Sequence, residues 1–135
     1  MNTYKTREIL RTASEISRIE SQPLKHKREA KQEFFDRLVT FPDLVAKQIS
    51  WIFNGDYGYG YQEIGQSYFN RSKRFNIRYR LLGLIALAEF RCPARQARQA
   101  YNMLSIRQKD EINKLIEIEV QNHKSNLKTQ ATKGE

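Results

Sequence analysis

The stretch Phe75-Asn-Ile-Arg-Tyr-Arg-Leu-Leu-Gly-Leu-Ile-Ala-Leu-Ala-Glu-Phe90 carries the strongest structural signal in the chain. Ile77, Leu81, Leu84, Ile85 and Ala88 recur at spacings of three and four, which puts them on one wide apolar side of a helix. Cys92-Pro93 ends that helix, and Pro93 opens another that carries Ala94, Ala97, Ala100, Tyr101 and Leu104. Ser105-Ile-Arg-Gln108 then matches a capping box, in which Ser bonds a backbone N–H and Gln reaches back to the Ser N–H. A last helix follows, with Ile112, Leu115, Ile116 and Val120 on its apolar side.

Upstream, the same period continues. Tyr57, Tyr61, Ile64 and Tyr68 share a stripe, so a short helix is expected from about Tyr61 after a loop over Asp56 to Gly60. Gly58, Gly60 and Gly65 each weaken a helix by about 1 kcal/mol relative to Ala, but they could admit a close neighbour. Asn54-Gly55 stops the preceding helix, which starts with Pro42 in its first turn and turns Leu44, Val45, Ile49, Trp51 and Ile52 to the core. Leu24 to Val39 reads as a charged helix with an apolar end at Phe34, Phe35, Leu38 and Val39. Thr3 to Glu20 reads as a helix with an Ile9, Ala13, Ile16 and Ile19 stripe and a solvated side of Glu8, Arg11, Glu15 and Arg18. Strand signals are scarce throughout. The expectation is an all-α, compact bundle of about five to seven helices. Its parts are a charged N-terminal hairpin over 1–41 (able to pack as an appendage), a helical core over 42–122 and a flexible tail over 123–135.

Charge is distributed unevenly along these 135 residues. The net charge is +9, and the segment 71–98 supplies +7 of it, with eight Lys and Arg against Glu89 alone. Seven of those eight cations are arginine, which grips phosphate bidentately and stacks on bases. Arg71, Arg74 and Arg78 are spaced to line one side of a helix, as are Arg91, Arg95 and Arg98. Nine of the fifteen aromatics fall between Trp51 and Tyr79, and Phe75 and Tyr79 lie inside the basic run. Cations interleaved with rings suit single-stranded nucleic acid, since cations follow the backbone and rings stack on bases. The candidate binding residues are therefore Arg71, Lys73, Arg74, Phe75, Arg78, Tyr79, Arg80, Arg91, Arg95 and Arg98. An acidic protein surface would meet the same charge, and a merely solvated face is the blander reading. A helix-turn-helix with Arg95, Gln96, Arg98 and Gln99 in a major groove fits less well than an ordinary helical hairpin, because the turn carries Pro and Arg98 falls where an apolar residue belongs.

Other chemistries find little support. Cys92 is the single cysteine, so no internal disulfide and no Cys-rich metal site can form, and a core thiol is the natural reading. His26 and His123 lie far apart in charged segments with no partner at ligand spacing, and no metal is expected. Glu89 reads as one half of a structural ion pair with Arg78 or Arg91, or as a buried carboxylate paired with an arginine. Asp56 and Glu63 flank Tyr57-Gly-Tyr-Gly-Tyr61 without a third group to complete a site. The Gly58/Gly60 pair lacks the strand of a nucleotide-binding loop, so no cofactor is expected. Residues Met1 to Leu10 show no apolar run, and Leu81 to Ala88 is far too short to span a bilayer. A soluble, cytoplasmic, non-enzymatic protein without membrane partners is expected.

The segment from about Ile52 to Val120 resembles small proteins of proteobacterial conjugative plasmids, integrative elements and phages. The likeness rests on Asn54-Gly-Asp-Tyr-Gly58, Leu84-Ile-Ala-Leu-Ala-Glu-Phe90, Cys92-Pro93 with Ala97 and Ala100, Leu104-Ser105, Gln108 and Glu117-Ile-Glu119. It implies a mobile-element accessory protein with an anti-defence or DNA-transfer role, and it transfers no catalytic or binding residue. Two functions follow as expectations. The first is nucleic-acid binding, or binding to a nucleic-acid-containing complex, through the 71–98 face. The alternative is a protein inhibitor of a host defence nuclease, of anti-CRISPR or anti-restriction type.

Overall fold

Helix α5 (Ile77–Phe90) lies at the centre because it is apolar around most of its circumference, and such a helix must be covered over most of its surface. Leu81, Leu82, Leu84, Ile85, Ala86 and Leu87 are all buried. The computed structural model describes residues 3–71 and 77–133, and within them the chain forms seven helices and no strand. The others are α1 (Thr3–Glu20), α2 (Leu24–Thr40), α3 (Pro42–Asn54), α4 (Tyr59–Asn70), α6 (Ala94–Asn102) and α7 (Ile106–Lys133). Helices α2, α3, α4, α6 and α7 all touch α5. Phe34 and Leu38 of α2, Val45, Ile49 and Ile52 of α3, and Ile112, Ile116 and Val120 of α7 close the core around it. The all-α bundle is as the sequence predicts.

Local signals explain the element ends. Pro42 occupies the first turn of α3, and Gly55 ends it in the left-handed conformation at φ 88°, a region that glycine enters without strain. Gln62 Nε2 donates to the Phe53 carbonyl at 2.8 Å, satisfying one of the carbonyls left open at the end of α3. The capping box at the start of α7 is complete: Gln108 N–H donates to Ser105 Oγ at 3.2 Å, and Ser105 N–H donates to Gln108 Oε1 at 2.9 Å.

The structure also corrects several expectations. Helices α1 and α2 pack chiefly on α4 and α6 rather than on each other as a separate hairpin. In α1 the buried line is Thr12 and Ile19 with Ile16 beside them, while Ile9 and Ala13 are exposed. The helix is rolled because Thr12 sits where Gly60 of α4 has no side chain, so the two backbones close at that point. Glu8 and Glu15 consequently approach α4 and the α5–α6 turn instead of lying in a uniformly solvated row. Trp51 is 38% exposed, because it lies about 200° round the helix from the buried Ile49. Leu44 is 37% exposed at the opposite end of α3. Helix α4 starts at Tyr59, two residues early, with Tyr61 buried. Helix α7 continues past His123 to Lys133, and His123 stacks on Phe53 at 4.1 Å and meets the edge of Phe69 at 5.1 Å.

Candidate nucleic-acid interface

Neither arginine triplet lies along one helix. Arg71 is the residue that closes α4, whereas Arg78 belongs to the first turn of α5. Arg91 sits between α5 and α6 with a left-handed φ of 49°, and Cys92 N–H returns to the Ala86 carbonyl at 2.9 Å. The turn that Pro93 imposes therefore separates Arg91 from Arg95 and Arg98 of α6. Lys73, Arg74 and Phe75 lie outside the described residues.

Four of the remaining cations divide into two groups by what they meet. Arg78 pairs with Glu117 of α7 at 3.0 Å, and Arg91 pairs with Glu15 of α1 at 3.0 Å. Glu20 of α1 accepts from Ala94 N–H at 3.2 Å, the favourable place for an acid at the start of α6. Glu15 and Glu20 together tie α1 to the α5–α6 turn, so Arg91 is a fastening of the fold. Glu89 pairs with neither arginine. It is exposed beside Tyr57, whose phenol is held well above its ordinary range by burial first and by the Glu89 carboxylate second.

The second group meets aromatic rings. Arg80 lies over Tyr68 at 5.3 Å, and Arg98 lies over Tyr79 at 5.4 Å. Tyr79 meets Tyr101 edge-on at 4.7 Å and donates its hydroxyl to Asn102 Oδ1 at 3.0 Å. Tyr101 in turn accepts from Asn113 Nδ2 of α7 at 2.9 Å, which fixes the ring from behind. These groups surround a cleft of about 420 Å³ between the end of α4, α5 and α6, a volume within the roughly 300–1,000 Å³ of ligand sites. Leu82, Leu87 and Ala97 form its apolar interior, and no carboxylate is among its described lining residues. Arg95 and Arg71 are exposed and in no ion pair among the described residues.

Two other depressions differ in charge. One of about 110 Å³ brings Glu33 and Glu89 together with Arg37, and one of about 460 Å³ beside α7 sets Asp110 and Glu117 against Arg78 and Lys114. Both carry mixed signs, whereas the described lining of the tyrosine cleft carries arginine without a carboxylate. Cys92 is fully buried, and burial pushes its thiol up to about 12, which keeps it protonated and inert.

Of the residues picked from sequence, Tyr79, Arg80 and Arg98 meet at the cleft, while Arg78 and Arg91 are bound to acids elsewhere. Tyr68, Tyr101 and Gly83 also line it and were not among the candidates. Tyr101 follows Arg98 by three residues, the spacing that shares a helix side, and Gly83 is an isolated glycine in an apolar helix. Both features were open to reading. No family model matches the chain, and no curated protein or solved structure matches it. Among the described residues, no helix is long and apolar enough to cross a membrane.

Proposed function

We propose that the protein is a non-enzymatic binder of nucleic acid that uses the face formed by the end of α4, α5 and α6. The observation that carries this reading is the pairing of Arg80 with Tyr68 and of Arg98 with Tyr79 around a cleft lined by no described carboxylate. Guanidinium groups take phosphate oxygens in bidentate fashion, and their planes stack on bases. Arg95 and Arg71 extend the positive surface beyond the cleft. The likeness to mobile-element proteins supports a role in the cytoplasm of a bacterial host, on the element's own DNA or against a nucleic-acid-containing defence complex.

The test is fluorescence anisotropy with labelled oligonucleotides at rising salt. Affinity should fall with a log–log slope of about −0.7 to −0.9 for each phosphate neutralised. Arg98→Ala and Arg80→Ala should each weaken binding and flatten the slope by roughly one contact, whereas Arg78→Ala, whose partner is Glu117, should do less. A salt-independent response, or equal effects from all three variants, overturns the assignment. A complex with a purified defence nuclease that survives removal of nucleic acid would support the inhibitor reading instead.

A further inference from the structure

We infer that the cleft receives a single unstacked nucleobase, which makes the protein selective for single-stranded over duplex nucleic acid. This rests on the nucleic-acid reading above and adds to it the form of the ligand. A Cβ at Gly60 would strike the Thr12 side chain, and one at Gly65 would come within 2.8 Å of Ile52 Cγ2, so those glycines are needed for helices to close. A Cβ at Gly83 would meet nothing within 4 Å. Glycine inside a helix destabilises it relative to alanine, so Gly83 carries that cost with no packing to offset it. It lines the cleft, and its missing side chain keeps the interior open.

What fits there is set by the surroundings. The interior is apolar at Leu82, Leu87 and Ala97, the sides carry tyrosine rings, and cations stand at Arg80 and Arg98. A nucleobase has a flat apolar body, polar edges and an attached phosphate, and these meet the three kinds of surface in turn. A stacked, paired base offers none of its faces, so a duplex could reach the arginines and leave the interior empty. An acidic side chain satisfies the arginines but has no flat body to fill the cleft.

The experiment compares three labelled ligands of about 12 nucleotides, the size range of single-strand sites: oligodeoxythymidine, a duplex of equal length, and a strand whose central positions are abasic. The intact strand should bind about tenfold or more tightly than the other two. Gly83→Phe, which fills the cleft, should remove that preference, so that the intact and abasic strands bind alike. Gly83→Ala, whose methyl group enters the cleft, should reduce the preference less than Gly83→Phe, and circular dichroism checks that each variant is folded. The wild-type comparison needs no variant and stands if Gly83→Phe fails to fold. Equal affinity for the intact and abasic strands, or a preference that survives in folded Gly83→Phe, overturns the base pocket and leaves the nucleic-acid reading intact. Absence of binding to all three ligands overturns both.

Discussion

Helix α4 meets α1 at Gly60, and α5 passes the tyrosine cleft at Gly83, yet the two glycines have opposite surroundings. At Gly60 the Thr12 side chain occupies the place of a Cβ, and the Glu8 carbonyl oxygen would lie 3.1 Å from it. At Gly83 there is open space. Two aromatic groups repeat the contrast. Phe53, Phe69 and His123 pack directly on one another between α3, α4 and α7, while Tyr79 and Tyr101, though edge-on at 4.7 Å, border an open cleft with Tyr68, and arginines lie over Tyr68 and Tyr79. On one side of the molecule a glycine lets two helices close together, and on the other a glycine leaves open space beside packed helices. The same residue types therefore have opposite consequences for stability, and one substitution made at both sites separates them.

The largest effect is expected on the closed side. Gly60→Ala forces a methyl group into Thr12 and the Glu8 carbonyl, and overpacking of this kind costs about 1–3 kcal/mol. The denaturation midpoint should fall with an unchanged m-value. A midpoint equal to wild type would mean that α1 is not seated on α4. On the open side the sign reverses. Gly83→Ala restores helix propensity without a clash and should raise stability by about 0.5–1 kcal/mol in the same denaturation experiment. A loss at Gly83 would show that the cleft closes in solution.

The closed side was easier to read from sequence than the open one. Hydrophobic period located the helices, and Pro42, Gly55 and the Ser105–Gln108 box marked their ends, because these signals act within a turn or two of chain. The roll of α1 was not legible. It depends on Thr12 meeting Gly60, forty-eight residues away, and a short hydroxyl residue in a polar helix gives no periodic sign of burial. At the candidate site, the density of arginine was plain, but not which arginines would be engaged. Arg78 and Arg91 find Glu117 and Glu15 only through the packing of α7 and α1, so spacing along the chain grouped them with residues that they do not accompany. Tyr68 and Tyr101 read as core residues because both lie on apolar stripes. Their rings do pack inward, and the cleft exists because Gly83 between them does not fill it.

The smallest expected effect probes the closed aromatic group through pH. Burial between Phe53 and Phe69 holds the His123 imidazole below its ordinary value, so the fold favours the neutral ring. Gln66 Nε2 lies 3.4 Å from His123 Nε2 and can donate to it when that nitrogen carries no proton. As pH falls through the unfolded value near about 6.5, the unfolded chain takes up a proton that the folded chain does not yet bind. Stability is therefore lost from that pH downward until the folded histidine also titrates, and above it the ring contributes no penalty. His123 is only half-buried, so water screens the effect and the shift in thermal midpoint is small. His123→Phe keeps the ring stack and removes the titration, and its midpoint should change less than that of wild type between pH 7 and pH 5. Equal changes in the two proteins would mean that α7 does not close over Phe53 and Phe69 at His123, and that this aromatic group is open to water.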